Sequence, residues 1–566
     1  MNRGLACMLA FALPLAMAQS PADSEIEQLK RMLLDQQRQI NELKQKLGMP
    51  VNAGVPVNAH AGIGEVASTT GILPPAPVET PTSTAVPAAP AAQPGSSDAT
   101  ICCFDTLRKT KPDQTEWGTT SMPLQLKLGD ANITPVGFMD MTSVTRSTNP
   151  GSGIGTNFGS IPYSNTQAGA LSESRMSIQN SRIGARIDTA FHDFKVMGYW
   201  ESDFLGQIAN PPNGGLAVSS NPYVFRMRLY WVDVRKGKNE FLAGQSWSLM
   251  TPNRVGISPL PGDIFYSQDI DVNYQLGLTW GRIPGFRYVY HPTEKVAFAL
   301  ALENSEPYVG GGNGGSGAVL PAAISTTNAV SGAVLGGQIN NGSSVISSAA
   351  LFPDIIAKLA FDPTKKFHLE IAGVEIANKI AFPISGPAFP TNTKVGGGGS
   401  VNLGFELLPG FRILTNNFYS AGGGRYIFGQ APDFIIRANG TVSLVHSAST
   451  ASGFEWTAGR NLFYMYYGGV YIPKNMSLDA NGTTKIGYGP IANDGQNRAI
   501  QEFTVGTNTT LAKNSKWGAL NLMFQYSYLQ RNPWLVTGTS PTNASLSMGF
   551  VNLRYTLPGA APMLGK

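Results

Sequence analysis

Charged residues are scarce in this chain, since Asp, Glu, Lys and Arg together make up only 14% of the 566 positions. The formal net charge is +5, and it becomes +4 once Arg3 is removed with a predicted leader at 1–18. So small a net positive charge argues against a nucleic-acid partner. The chain also lacks any uncharged apolar run of about 18 residues, the length that a membrane-spanning helix needs.

Cysteine and histidine are also rare, which limits the chemistry of the chain. Cys7 lies in the leader, so only the adjacent Cys102 and Cys103 remain, as a strained vicinal disulfide, a bridge between subunits or incidental thiols. The five histidines show no metal-ligand spacing, and no G-x-S-x-G motif occurs. The segment 312–317 matches G-x-G-x-x-G, but a Gly-, Ala- and Ser-rich tract follows it, where a nucleotide site needs a helix. The sequence therefore predicts no metal, no cofactor and no catalytic residue.

The N-terminal part is organised in three segments. Residues 1–18 have the basic start, short apolar run and A-x-A site of a secretory signal peptide. Residues 23–48 carry apolar side chains at alternating three- and four-residue steps, which predicts a three-heptad coiled coil with copies of itself as partner. Its Ile and Leu core positions lean towards a dimer, but a Gln in the seam leaves the copy number open. Residues 49–122, rich in Pro and Ala, form a linker and pre-barrel segment.

Glycine and aromatic residues are plentiful, with 64 glycines and 10% Phe, Trp and Tyr. From 123 to 566 they occur in runs of strict alternation, as in 224–231, where Phe225, Met227, Leu229 and Trp231 alternate with polar residues. Such alternation predicts strands whose two faces meet different surroundings. Sixteen such strands are predicted, at 133–147, 173–190, 193–205, 223–236, 239–250, 274–291, 294–304, 352–362, 366–380, 395–408, 411–420, 433–447, 453–472, 498–513, 516–531 and 543–557.

The connections between these strands alternate in length. Seven short turns, among them 236–239 and 448–452, alternate with eight longer loops such as 251–273 and 305–351. A soluble β-sandwich has no reason to sort its loops in this way, whereas an even-stranded outer-membrane barrel has short periplasmic turns and long external loops. We therefore expect an all-β fold, a 16-stranded antiparallel transmembrane β-barrel with an N-terminal periplasmic coiled-coil helix.

The alternation also predicts which side chains face the interior. Those predicted to face lipid are Phe194, Val196, Trp200, Ile355, Leu359, Phe361, Phe434, Ile436, Val442, Leu444, Leu522, Phe524, Tyr526 and Tyr528. Those predicted to face the interior include Tyr199, Glu201, Asp203, Lys358, Arg437, Asn521, Gln525 and Ser527. Polar groups opposite an uncharged apolar face imply a hydrated lumen, and sixteen strands enclose a channel.

A group of inward arginines is the candidate functional site. Arg182, Arg186, Arg226 and Arg228 are predicted to line neighbouring strands, with Tyr230 on the same face and Arg437 across the wall. One interpretation is that they pair with Glu201 and Asp203 and hold the wall together. The other is a basic row that faces Asp263, Asp269 and Asp271 of an inward-folded third loop, producing a field that orients solutes. The two interpretations have about equal weight on pattern alone.

The assembled features resemble the DcaP-like outer-membrane porins. The resemblance rests on the signal peptide, the coiled coil at 26–47, the linker and the sixteen strands, and in sequence on the region 177–247, with Phe241-Leu242-Ala243-Gly244-Gln245-Ser246-Trp247-Ser248 before the constriction loop. It implies a homotrimer, a periplasmic coiled coil and passage of small anions such as dicarboxylates. The chain departs from the family in its long linker, its Gly-rich fourth loop and its terminus at 558–566. Other sixteen-stranded porins, phosphate- or carbohydrate-selective, remain alternatives.

The expected function is passive diffusion of small hydrophilic solutes through an outer-membrane porin, with no reaction catalysed. Its partners are outer-membrane lipid, two further copies and small polar or anionic solutes, and the coiled coil is a candidate for cell-wall contact. One alternative is a barrel without an open pore that tethers the envelope. The other is a barrel hydrolase using a Ser/His pair, for which His368 and His446 are candidates.

Overall fold

The computed structural model describes residues 126–206, 224–260, 262, 264–269, 274–310, 317–325, 348–381, 390–492, 494–514 and 516–558. The predicted signal peptide, coiled coil and linker, together with Cys102 and Cys103, lie outside the described residues. Among those that are described, no helix has the length and hydropathy needed to cross a membrane. The α-helix that the structure places there is Ala322–Ser325.

Sixteen strands form one antiparallel barrel, numbered here in chain order. They are β1 (Ala131–Arg146), β2 (Glu173–Ser177 and Arg182–Phe191), β3 (Phe194–Gly206), β4 (Val224–Lys236), β5 (Asn239–Trp247), β6 (Arg282–Thr293), β7 (Val296–Glu303), β8 (Asp354–Thr364), β9 (Phe367–Ala381), β10 (Thr391–Leu408), β11 (Phe411–Ala421), β12 (His446–Ala458), β13 (Asn461–Tyr471), β14 (Asn497–Asn514), β15 (Gly518–Pro533) and β16 (Ala544–Thr556).

The barrel closes between its first and last strands. In β1, Phe138 to Arg146 pair with Thr556 to Met548 of β16, while the other edge of β1 pairs with β2. A buried ion pair crosses the seam, with Arg554 Nε 2.7 Å from Asp140 Oδ2. Within the described residues, closure gives each of the sixteen barrel strands a partner on both sides, which is the requirement for a sheet that is surrounded by apolar medium. The predicted all-β, 16-stranded antiparallel barrel is confirmed.

The alternation of short and long connections is present throughout. Seven turns of a few residues join β2 to β3, β4 to β5 and so on to β14 and β15, and eight longer loops, L1 to L8, join the remaining pairs. The loops used below are L3 (248–281), L4 (304–353), L6 (422–445) and L7 (472–496). Short strands inside the loops pair with each other, Phe434–Ile436 with Val442–Leu444 in L6 and Asn475–Leu478 with Lys485–Tyr488 in L7.

One predicted strand is wrong, although the count of sixteen is right. The segment 433–447 is the buried hairpin of L6, so Phe434, Ile436, Val442 and Leu444 do not face lipid. The predicted strand 453–472 is two strands, β12 and β13, joined at Gly459 and Arg460. The stretch 448–452, predicted as a turn, lies inside β12. Its outward residues are small or polar, so the apolar alternation that identifies a membrane strand is missing there.

Elsewhere the predicted alternation describes the wall well. On β15, Phe524, Tyr526 and Tyr528 are exposed on the outer surface, whereas Asn521 and Gln525 are buried on the inner side. On β3, Tyr199, Glu201 and Asp203 are buried on the inner side in the same way. The barrel therefore has an apolar outside and a polar inside, the reverse of a soluble β-protein.

Candidate functional site

Three arginines and two carboxylates form a connected cluster on the inner wall of β2, β3 and β4. Asp203 Oδ2 accepts hydrogen bonds of 2.6 Å from both Arg226 Nη2 and Arg228 Nη1. Glu201 Oε1 accepts a bond of 2.9 Å from Arg228 Nε and lies 3.6 Å from Arg182 Nη1. Bidentate and shared contacts of this kind fix the guanidinium planes. We call these five residues the arginine cluster.

The arginine cluster is unequally accessible and carries a net charge. Three guanidiniums against two carboxylates leave a formal charge of +1. The side chains of Arg228, Asp203 and Glu201 are almost completely buried, whereas that of Arg226 is 32% exposed. Arg226 is therefore the most exposed member of the cluster. Nearby on β2, Arg186 Nε contacts Asp188 at 2.8 Å, so that pair adds no net charge.

A β-bulge at Arg228 corrects the predicted position of Tyr230. Glu201 pairs with Leu229 and Ser202 with Met227, so Arg228 is the extra residue. The bulge shifts the alternation by one: Leu229 is buried on the inner side and Tyr230 is 64% exposed on the outer surface. Gln245 Nε2 on β5 donates to the backbone oxygen of Arg228 at 2.9 Å, beside the bulge.

The first half of L3 runs along the inner wall opposite the arginine cluster. Arg254 binds both oxygens of Glu455 on β12, at 2.5 and 2.6 Å, and the two side chains are almost fully buried. The backbone N–H of Asn253 donates to Glu370 on β9 at 3.0 Å, and that of Gly256 donates to Asp362 on β8 at 2.9 Å. Carboxylates of the wall thus accept hydrogen bonds from backbone N–H groups of L3 that are not paired in a strand.

The second half of L3 continues along the same wall. Gln268 N donates to Gln525 Oε1 on β15 at 2.7 Å, and Leu276 N donates to Glu502 Oε2 on β14 at 2.9 Å. Thr279 N donates to Asn416 Oδ1 on β11 at 3.0 Å. L3 therefore lies within the barrel and contacts strands on the far side from β2, β3 and β4.

The three aspartates predicted to face the arginines do not behave as one group. Asp269 lies on the far wall, where its Oδ2 accepts bonds from Gln525 Nε2 at 2.9 Å and Ser527 Oγ at 3.2 Å. Asp269 therefore does not face the arginine cluster as one of the two interpretations has it, because the wall of β14 and β15 offers it buried donors. Asp263 and Asp271 lie outside the described residues.

Aromatic side chains that the sequence analysis did not select connect L3 to the arginine cluster. Tyr274 and Trp280 stack with ring centroids 4.2 Å apart, and Trp247 at the end of β5 lies 5.9 Å from Tyr274. Arg228 Nη2 donates to the Tyr274 hydroxyl at 3.4 Å. Alternating Tyr274, Leu276, Leu278 and Trp280 were interpreted as the start of β6, and only the tertiary fold places them within L3.

Arg437, predicted on the inner wall, lies at the tip of the L6 hairpin, where its Nη2 donates to Ser443 Oγ at 3.3 Å. The ion-pair centre of L6 is Arg425, whose Nε lies 2.8 Å from Asp433 Oδ2 and whose Nη1 lies 3.2 Å from Asp354 Oδ2. Burial raises the pKa of Asp433 to about 6, although the Arg425 guanidinium acts in the opposite direction. These contacts hold L6 in place and do not form a second arginine row.

The histidine candidates for hydrolysis take part in other contacts. His368 Nδ1 lies 2.8 Å from Asp362 Oδ1, and the same carboxylate accepts the hydrogen bond from Gly256 of L3. His446 is on the outer surface, where its Nδ1 lies 2.7 Å from the Tyr419 hydroxyl. Within the described part of the chain, no group of three or more His, Cys, Asp or Glu side chains is arranged to hold a metal ion.

Substitution of Gly468 tests the contact between L3 and the wall. A Cβ at Gly468 on β13 would lie 2.2 Å from the backbone oxygen of Leu276, whereas one at Gly404 on β10 would meet its nearest atom, in the Leu414 side chain, at 3.3 Å. We expect Gly468→Ala to push L3 away from the wall and to lower single-channel current by roughly a quarter or more, at a stability cost of about 1–3 kcal/mol. Gly404→Ala is the matched control and keeps the original current. Equal currents for both variants would contradict the position of L3.

Comparison with solved structures relates the barrel to known channels. It is similar to the outer membrane channel DcaP of Acinetobacter baumannii, with 13% identity, a TM-score of 0.53 and coverage of 76% of this chain and 99% of that one. An anion-selective porin from Comamonas acidovorans (10% identity, TM-score 0.42, 75% and 100% covered) and OprB of Pseudomonas putida (9%, 0.41, 75% and 94%) also match. No family model and no curated protein matches the chain. The predicted resemblance to DcaP is thus confirmed at the level of the fold.

Proposed function

We propose that the protein is an outer-membrane porin through which small hydrophilic solutes diffuse down their gradients. One observation carries the proposal: L3 is bound inside the barrel through buried contacts such as Arg254 to Glu455, and the wall of β2 to β4 carries Arg226 and its net-positive cluster. A loop held inside a sixteen-stranded barrel narrows the lumen without filling it. The site has the parts of a constriction and, in its described residues, no arrangement that suggests a reaction.

The outer surface supports the membrane location. Large apolar side chains are exposed on almost every strand, among them Phe286, Tyr288, Phe298, Leu300, Phe524 and Tyr526. In water such a surface would aggregate, whereas in a bilayer it is the lipid-facing band of a β-barrel. The short turns would then lie in the periplasm and L1 to L8 outside the cell, as barrel topology requires.

The finer proposal is a preference for small anions such as dicarboxylates. Its support is the formal charge of +1 on the five residues of the arginine cluster, which L3 contacts through Tyr274. A fixed positive charge in a narrow passage raises the local concentration of anions. The homotrimer belongs to the same proposal, and so does the absence of catalysis.

Reconstitution of the purified full-length protein in planar bilayers tests this proposal. We expect discrete current steps of uniform size, and a reversal potential in a KCl gradient that is displaced towards the chloride equilibrium potential. Absence of steps would favour an envelope-tethering barrel without an open pore. Uniform steps with cation preference would retain the porin and reject only the anion preference.

A further inference from the structure

Two buried carboxyl groups meet where the second half of L3 lies against β14, away from the arginine cluster. The side chains of Asp269 in L3 and Glu502 on β14 are in hydrogen-bonding contact, and neither residue is more than 1% exposed. Glu455, by comparison, has Arg254 as its buried cation. Within the described residues, no Lys, Arg or His side chain forms an ion pair with Asp269 or Glu502. Such a pair needs a positive partner, because unpaired buried charge is costly.

Two wall hydroxyl groups connect these carboxyl groups. Ser527 Oγ on β15 lies 3.2 Å from Asp269 Oδ2. Thr504 Oγ1 on β14 lies 2.8 Å from that serine oxygen and 3.2 Å from Glu502 Oε1. The contact between the two carboxyl groups completes a ring of four buried side chains, which we call the oxygen ring. Neighbouring oxygen ligands about 2.4 Å from a Ca²⁺ ion lie roughly 3.4 Å apart, so small movements would make these spacings those of a coordination shell.

The oxygen ring has too few donors for its acceptors. Asp269 Oδ1 is buried, and no N–H or O–H group of the described residues donates to it. The same is true of Oε1 of Gln275 in L3, a residue that is 2% exposed. Gln275 Nε2 donates to Glu502 Oε2 at 2.9 Å, so the unpaired oxygen of the same amide lies beside the ring, and a half-turn of the amide directs it at the carboxylate. What the cluster lacks is positive charge.

We propose that Asp269 and Glu502 bind a Ca²⁺ ion that fastens the second half of L3 to β14 and β15. Two carboxylates balance the charge of one divalent cation. Ca²⁺ takes six to eight oxygen ligands in flexible geometry, and amide and hydroxyl oxygens such as those of Gln275, Thr504 and Ser527 are suitable. Mg²⁺ fits less well, because it keeps several of its water ligands and this cluster is buried.

A shared proton is the alternative to the ion, since two adjacent buried carboxyl groups rarely ionise together. One proton satisfies one oxygen and leaves a net charge of −1, with the Gln275 oxygen still unpaired. A Ca²⁺ ion neutralises both carboxylates and coordinates both unpaired oxygens. Its ligands come from L3 on one side and from two wall strands on the other, so the ion joins the loop to the wall.

Equilibrium dialysis of the purified full-length protein against radioactive calcium tests the site. We expect the original protein to bind one more Ca²⁺ ion per chain than Asp269→Asn/Glu502→Gln, which keeps the side-chain sizes and removes both charges. The matched control is Arg254→Met/Glu455→Met, which removes another buried contact between L3 and the wall, one whose carboxylate already has its cation. It should bind as much Ca²⁺ as the original. Equal binding by the original and the Asp269/Glu502 variant, or equal loss in the control, would overturn the proposal.

A second variant tests the site without changing any charge. Gln275→Met keeps both carboxylates and deletes the unpaired amide oxygen, so it stays informative if the double variant does not fold. We expect it to weaken Ca²⁺ binding about tenfold. An unchanged affinity would contradict the site, because the ion would then not lie where L3 meets Glu502.

Channel current tests whether the ion holds L3. Removing Ca²⁺ with EGTA should raise open-channel current noise at least twofold in the original protein and leave that of Asp269→Asn/Glu502→Gln unchanged. Bound Ca²⁺ whose removal leaves the noise unchanged would show that the ion does not fasten the loop. The dialysis needs no open pore, so a failure of this inference and a failure of the porin proposal are distinguishable.

Discussion

Replacing Arg226 with glutamate is expected to reverse the ion preference of the channel. The substitution changes the formal charge of the arginine cluster from +1 to −1, at the one cluster side chain that is substantially exposed. For an ion that passes about 10 Å away in water, two unit charges are worth about 0.8 kcal/mol, or roughly a fourfold change in local concentration. Anions and cations respond in opposite directions, so the permeability ratio changes by about four times four, or roughly sixteenfold. Reversal potentials in a KCl gradient measure it.

Arg412→Glu is the matched control for that measurement. The Arg412 side chain is 31% exposed and lies 3.7 Å from Glu406 beside a short turn, far along the wall from the cluster. We expect its reversal potential to stay close to that of the original protein. Arg226→Gln should give an intermediate value. If Arg412→Glu shifts selectivity as much as Arg226→Glu does, the overall charge of the channel mouth controls selectivity and the cluster is not the selective element.

Arg254→Met is expected to release L3 from its wall. The substitution removes the bidentate contact to Glu455 and leaves that carboxylate buried without its cation. Loss of one partner of a buried pair costs about 3–5 kcal/mol. We expect open-channel current noise to rise at least twofold, together with a lower thermal midpoint in detergent.

Two further variants separate the anchor from the buried charge. Arg554→Met breaks the equally buried pair with Asp140 across the barrel seam, so it should lower the thermal midpoint and leave the current steady. Arg254→Met with Glu455→Met removes both charges, so it should recover stability while the current remains noisy. A quiet channel in both Arg254 variants would show that the remaining backbone contacts, such as Leu276 to Glu502, suffice to hold L3.

Local patterns in the sequence were sufficient to predict most of the barrel wall. A strand between lipid and water must alternate with a period of two, and a barrel must sort its connections by length, so both features can be read without knowing any contact. The errors have a local cause as well. The stretch 448–452 has outward Ala, Thr and Ser, so it lacks the apolar signal of a lipid-facing strand, and the nearby L6 hairpin imitates one.

The sequence by itself determined the closed barrel, most of its sixteen strands and the inward direction of Arg182, Arg226 and Arg228. Only the tertiary structure decided what those arginines and the aspartates of L3 bind. Asp203 and Glu201 lie on the strand between the arginines, whereas Asp269 meets Gln525, some 250 residues away in sequence. Periodicity fixes the side of a strand that a residue occupies, but its partner depends on where closure places distant strands and on which buried donor needs an acceptor.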